Sequence, residues 1–205
     1  MLYSTLLKSR LNDIIVDVWM TSDFIRNPKS NFTRKRKLDF TTTFNTILSM
    51  GGSTLNREML ELFNFSDSTT TKSAFVQSRG KILPEAFSHV FSEFSAFLRK
   101  PKKYKGYNLL AVYGTWINLF RNDNDAETFV GQNNTKGRNM LVLTAMYDLN
   151  NYIYTDVLVQ PANSQNECGA LIDILPNVSG NSITVQLQSG GITAWKRLRI
   201  HNTRN

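Results

Sequence analysis

An α+β protein is predicted, with helices first and strands after, and three features of the 205-residue sequence predict it. Phe87, Val90, Phe91, Phe94, Phe97 and Leu98 recur at helical offsets, the strongest periodic signal in the chain. From Tyr107 onward the apolar runs are short, rich in β-branched and aromatic residues, and separated by Asn, Asp and Gly, as strands and turns require. Between the two regimes, Pro101 to Lys105 breaks both patterns. The expected organisation is therefore a helical domain over 1–103, a sheet-forming part over 104–175, and an atypical basic tail over 176–205.

In chain order, residues 4–25 mix apolar residues with isolated charges and predict one helix or two short ones. Asp39 is placed to cap a helix with Phe40, Phe44, Ile47 and Leu48 on one stripe. Gly51 and Gly52 end it, and Ser53 or Thr54 starts another with Leu55, Met59, Leu60 and Phe63 on its buried side. A third begins near Thr71 to Ser73, where Ala74, Phe75 and Ile82 offer core contacts and Gln77, Ser78, Arg79 and Lys81 supply polar groups. Pro84 suits the first turn of a fourth, with Glu85 at the electropositive end. His89 falls between core positions of that helix and has an ordinary packing role.

Tyr107–Tyr113, Asn139–Tyr147 and Tyr152–Gln160 predict three strands, the last two joined by a turn at Asp148, Asn150 and Asn151. Residues 118–138 form a long Asn-, Asp- and Gly-rich loop. Ser164–Leu175 predicts a helix with Cys168, Leu171, Ile172 and Leu175 inward. Pro176, Asn177, Gly180, Gly190 and Gly191 then flank one alternating segment, Ile183–Leu187, and the chain closes on Trp195 to Ile200 without an acidic residue. Such a sheet leaves one face uncovered, exposing an apolar patch.

Composition narrows the function classes. Hydrophobic residues make up 41% and charged residues 20%, which excludes disorder throughout. One cysteine excludes a disulfide scaffold and a cysteine-rich zinc module, and two histidines leave little for a zinc or iron centre. No apolar run approaches the roughly 20 residues that span a bilayer, and the first fifteen residues lack an export pattern. A cytoplasmic place without membrane attachment is expected.

Charge is unevenly spread. Residues 1–105 carry 17 Lys and Arg against 9 Asp and Glu, 106–175 carry 3 against 7, and 176–205 carry 4 against none. Arg26, Lys29, Arg34, Lys35, Arg36 and Lys37 crowd into twelve residues around Pro28. Such a run holds phosphates without choosing a base sequence, or else is a solvated basic linker. Gln77 and Arg79 suit the base edges of a major groove, or else form an exposed polar helix face.

Several colinear runs carry a resemblance. Phe32-Thr33-Arg34-Lys35-Arg36-Lys37-Leu38-Asp39-Phe40, Ser73-Ala74-Phe75-Val76-Gln77-Ser78-Arg79, Lys81-Ile82-Leu83-Pro84-Glu85-Ala86 and Tyr104-Lys105-Gly106-Tyr107-Asn108-Leu109-Leu110-Ala111-Val112 come in order. Arg121-Asn122, Asn124-Asp125, Glu127-Thr128-Phe129, Ala145-Met146-Tyr147-Asp148-Leu149, Gln160-Pro161 and Asn166-Glu167 follow. Over about 140 residues, from Phe32 to Leu175, the chain resembles the IS4-type insertion-sequence transposases.

The resemblance implies a helical DNA-binding domain followed by an RNase H-like mixed sheet of the DDE class, here incomplete. It implies double-stranded DNA as partner, in particular insertion-sequence terminal repeats, and association with an intact transposase. In a bacterial cell the DNA-bound chain would lie at the nucleoid. Arg34, Lys35, Arg36, Lys37, Gln77, Arg79 and Lys81 are the expected DNA-binding residues.

Intact members cut and join strands with Mg2+ or Mn2+, whereas no cofactor is expected for this chain. Tyr113 stands at the end of the first strand, where the family has its first aspartate. The second family aspartate belongs on the strand after the helix ending near Leu175, yet residues 176–205 contain no Asp or Glu. The third lies beyond the chain. Asp148 falls in a turn, and Asp123, Asp125, Asp156 and Asp173 have no catalytic context. The expectation is a truncated transposase that binds DNA without cleaving it. Alternatives are a stand-alone DNA-binding regulator of an intact transposase and a structural remnant without nucleic-acid function.

Overall fold

The computed structural model describes residues 2–67, 69–131, 136–175, 180–187 and 199–201. The expected α+β order holds, a helical region followed by a mixed β-sheet. The chain divides into two compact units, Met1–Phe94 and Ser95–Asn205.

The first unit contains α1 (Tyr3–Thr21), α2 (Phe40–Ser49), α3 (Leu55–Leu62), α4 (Lys72–Arg79) and most of α5 (Glu85–Leu98). Left-handed Ser22 ends α1 four residues before the predicted limit. Asp39 caps α2 as expected, its carboxylate accepting from the Thr42 N–H at 2.7 Å. Thr71 does the same for α4 through the Ala74 N–H. Thr54 precedes α3 without a side-chain cap. Glu58 instead reaches back and accepts from the N–H groups of Gly51 and Ser53.

One core gathers Ile14, Ile15 and Val18 of α1, Phe40 and Phe44 of α2, and Ala86 and Val90 of α5, with Ile25 and Ile82 between them. Phe44 stacks on Phe87 with ring centroids 4.3 Å apart. A second cluster joins Leu38, Met59 and Phe75. Two expectations are corrected here. Leu48 is exposed, because the core takes up Phe40 and Phe44 from its helix and ends before the last turn. Ala74 faces solvent and Ser78 is buried, since Ser78 turns inward to meet the Thr43 hydroxyl at 3.0 Å. His89 is exposed and tilts against Phe24, with ring centroids 5.1 Å apart.

The second unit is built on β1 (Asn108–Asn118), β2 (Phe129–Val130), β3 (Arg138–Asp148), β4 (Ile153–Pro161), β5 (Ser182–Leu187) and β6 (Arg199–His201). A 310 turn at Ala162–Ser164 leads to α6 (Glu167–Ile174), which Asn166 caps through the Gly169 N–H. In the sheet, β3 lies between β1 and β4, antiparallel to both, and β1 runs parallel to β5 on its other side. β6 adds antiparallel to β5, and β2 adds to the start of β3.

The β3–β4 hairpin forms as predicted. Asp148 is 3% exposed and its carboxylate accepts from the Asn150 N–H, the Asn151 N–H and the Asn151 side-chain amide. β1 is longer than expected. Gly114 to Asn118 continue its pairing with β3, but Trp116 and Ile117 are both exposed, so alternation gives no sign of the strand there. The predicted loop contains β2, and buried Asn139 ties it together. The Asn139 amide oxygen accepts from the Asn122 N–H at 2.7 Å, and its NH2 donates to Asn122 O and Thr128 Oγ1.

α6 packs on β3 and β4 and closes a core of Leu110, Val112, Met146 and Ile174. Ile172 is exposed, contrary to expectation, because Ala170 and Ile174 hold the inward positions of the helix. The opposite face carries Leu109, Ala111, Tyr113, Leu143, Tyr154 and Val159 at alternate positions. Each of these is half-buried or exposed. The expected single strand after Leu175 is β5; β6 is additional. The inward side chain expected of Cys168, the turn residues Pro176, Asn177, Gly190 and Gly191, and Trp195 to Leu198 lie outside the described residues.

Candidate nucleic-acid interface

The basic run 26–37 is held against the helices at three points. Its first part pairs with the chain after α4: Ile25 bridges Ile82, the Arg26 N–H donates to Lys81 O at 2.9 Å, and the Leu83 N–H donates to Phe24 O. Arg26 is absorbed by this join, its Nε donating to the Gly80 carbonyl at 3.1 Å. In the middle, the Phe32 ring packs edge-on against Phe40. At its end, buried Leu38 enters the second cluster, and the Ser78 hydroxyl contacts the Leu38 carbonyl. A run with no regular secondary structure is thereby given a defined shape.

That shape is concave. Lys29, Ser30, Phe32, Thr33, Arg34, Arg36, Leu38 and Lys81 line a cleft of about 260 Å³. Four of the eight side chains are cationic and none is acidic. Among the described residues no carboxylate pairs with Lys29, Arg34, Arg36 or Lys81. The Lys81 ammonium stands 5.6 Å from the centroid of the Phe32 ring. Phe32 itself adopts a left-handed backbone with φ 58°, a conformation that costs a bulky residue on the order of 1–2 kcal/mol. The cleft is lined by four cations together with the apolar side chains of Phe32 and Leu38.

The structure sorts the expected DNA-binding residues into three groups. Arg34, Arg36 and Lys81 meet in the cleft, with Lys29 added. Lys35 and Lys37 are exposed on the same run but do not line it. Gln77 and Arg79 are exposed on α4, outside the cleft. Lys29 and Thr33 were visible in the sequence only as members of the run. The strand-like join of 24–26 to 81–83 selects which of its cations converge with Lys81.

Tyr113 is mid-strand rather than at a strand end, because β1 runs five residues further. It is 48% exposed and lies on the face opposite α6. Its register partner on β5 is Leu187. The five candidate aspartates are scattered. Asp148 organises the hairpin turn, and Asp125 accepts from the Thr128 hydroxyl at 2.7 Å. Asp123 pairs with Arg121 at 2.7 Å, and that hydrogen bond, followed by its charge, raises the guanidinium above its ordinary pKa. Asp156 accepts from the Val157 N–H, and Asp173 is exposed on α6. Among the described residues no three His, Cys, Asp or Glu side chains converge in a metal-binding group. No described helix is long and apolar enough to cross a membrane. No protein-family model, no curated protein and no solved structure matches this chain significantly.

Proposed function

We propose that the helical unit binds double-stranded DNA through the cation-lined cleft and that the chain is related to the IS4-type transposases but does not cleave strands. The observation that carries the DNA reading is the convergence of Lys29, Arg34 and Arg36 with Lys81, from distant parts of the sequence, on one cleft without a carboxylate. Phosphate contacts of this kind give affinity and position, while exposed Gln77 and Arg79 on α4 are the groups available to base edges. Cognate terminal repeats and an intact transposase are the partners this reading assigns.

The sheet bears on the loss of cleavage in a separate way. The two positions where the family carries its first carboxylates belong to the first strand and to the strand after the helix. In this chain Tyr113 lies on β1, β5 follows α6 as its parallel neighbour with Leu187 opposite Tyr113, and residues 176–205 offer no Asp or Glu for the second position. Two-metal strand cleavage needs such adjacent positions to supply hard oxygen ligands. These residues do not fit a magnesium or manganese pair. A tyrosine phenol offers a single oxygen, too few to bridge two ions as a carboxylate does, and leucine offers none. No cleavage step follows from them.

Two measurements on the full chain test the reading. Duplex affinity should fall steeply with salt, and each of Arg34→Ala, Arg36→Ala and Lys81→Ala should reduce the slope of log K against log salt by roughly 0.9. Gln77→Ala should change the preference among duplex sequences and leave that slope unaltered. Salt-insensitive binding, or none, overturns the DNA reading. Tyr113→Asp should leave the chain unable to nick DNA with Mg2+ or Mn2+. Metal-dependent nicking by the unaltered chain, abolished by chelator, would overturn the loss of cleavage.

A further inference from the structure

We propose that the cleft formed by Lys29, Arg34, Arg36 and Lys81 is a phosphomonoester site, filled by the terminal phosphate of a DNA end in preference to the internal phosphodiesters of the duplex. The inference rests on the nucleic-acid reading above and adds which phosphate the cleft takes.

Shape is the first argument. Internal phosphates lie along the convex ridge of a duplex, esterified on both sides, and are met by flat surfaces or by side chains reaching outward. A recess of about 260 Å³ receives a group that projects. It has room for a phosphate and several waters, but falls below the roughly 300–1,000 Å³ of pockets that enclose a whole small molecule.

Charge is the second argument. Four cations face the recess and no carboxylate does. A phosphodiester brings one negative charge, whereas a monoester brings about 1.5 to 2 near neutral pH, because its second proton leaves near pH 6. Phe32 and Leu38 add apolar surface to the lining, and a lower local dielectric strengthens each cation–phosphate contact.

The third argument is the backbone of Phe32. A bulky residue in the lining of the recess is held left-handed while its ring packs against Phe40, with the Lys81 ammonium above that ring. An aromatic face keeps an ammonium in place when no anion is bound, and the anion then displaces water rather than reorganising the lysine. Left-handed Phe32 fixes the run in the cleft, and a fixed backbone beside matched charge is the pattern of a preorganised ligand site.

The experiment uses the full chain and three DNA substrates of one sequence: a blunt duplex with 5′-phosphates, the same duplex with 5′-hydroxyls, and a closed dumbbell without ends. Binding is read by fluorescence anisotropy at pH 5 and pH 7. The phosphorylated duplex should bind about tenfold more tightly than the other two at pH 7, the gain of one charge-assisted contact. The advantage should shrink at pH 5, where the monoester carries one charge. Lys81→Ala should remove the advantage. It leaves the backbone pairing of 81–83 intact, and unchanged circular dichroism checks the fold.

Equal binding of all three substrates at pH 7 overturns the proposal and leaves the duplex-binding reading standing. Binding of none overturns both. A free deoxynucleoside 5′-monophosphate serves as competitor. Competition against the phosphorylated end alone supports the proposal. Binding of the monophosphate with no advantage for phosphorylated ends overturns the assignment to a DNA end.

Discussion

In Met1–Phe94 the apolar stripes of α1, α2 and α5 turn toward one another, so that Ile15, Phe44 and Val90 are enclosed together. In Ser95–Asn205 the sheet has two faces, and α6 closes the one bearing Leu110, Val112 and Met146. The other face turns Tyr113, Ile117, Tyr154 and Val159 outward. The difference follows from side-chain periodicity. A helix gathers its apolar residues on one stripe, which a neighbouring helix satisfies, whereas a strand divides them between two faces and needs a separate layer on each. The helical unit can therefore spend its irregular segment on a polar cleft. Among the described residues of the sheet unit, the fully buried apolar side chains of the central strands lie on the face that α6 covers, and the other face is half-buried or exposed.

The largest effect that sharpens this contrast is expected at Phe44, which is fully buried and stacked between Phe40 and Phe87. Phe44→Ala should destabilise the helical unit by about 3–5 kcal/mol, the usual cost of an emptied aromatic site. Denaturant titration monitored on the helices checks it. A loss below about 1 kcal/mol would mean that this core is not closed, and the contrast with the sheet would fall.

A smaller loss is expected in the sheet unit, where one turn carries much of the local order. Asp148→Ala strands the Asn150 and Asn151 N–H groups in a half-buried turn, and should cost about 1–3 kcal/mol. Asp148→Asn keeps an acceptor oxygen and should recover part of that. Hydrogen exchange of the β3 and β4 amides is the readout. Unchanged protection in Asp148→Ala would show that the strands hold the hairpin without its turn.

The smallest effect is expected on the outward face. Val159 is 51% exposed on β4, so Val159→Lys should change stability by no more than about 0.5 kcal/mol. It should lower self-association at high concentration, because a lysine on an outer strand opposes both apolar contact and strand pairing. Sedimentation analysis decides this. A loss of several kcal/mol would mean that the face is covered after all, and that the two units close their cores alike.

The parts legible in the sequence share a property: their causes are local. Asp39 and Thr71 cap the helices they precede, since a cap needs only the next three residues. Asp148, Asn150 and Asn151 make their turn for the same reason. The stripe from Phe87 to Leu98 is read from spacing alone, although Phe97 on it is exposed. Burial of Ser78 was not legible, because its partner Thr43 is thirty-five residues away and a serine between Gln77 and Arg79 looks like part of a polar face. The outward turn of Ile172 was hidden likewise, since Ala170 and Ile174 compete for the same core and spacing does not rank them. Exposed Trp116 and Ile117 concealed the far half of β1, whose existence depends on pairing with β3.

For the candidate site, the sequence by itself determined the supply of charge: a basic run at 26–37, no acidic residue after Asp173, and a tyrosine at position 113. Those are statements of composition and order, which survive any fold. Only the tertiary structure decided which cations act together. The pairing of 24–26 with 81–83 carries Lys81 to the basic run, and Phe32 and Leu38, sunk into two clusters, bend that run into a recess. Likewise, parallel pairing sets Tyr113 beside Leu187 across seventy-four positions of sequence. The physical reason is common to both. Hydrogen bonds and apolar contacts between distant segments form only when the chain has closed on itself, so the geometry they impose is written in no short stretch of residues.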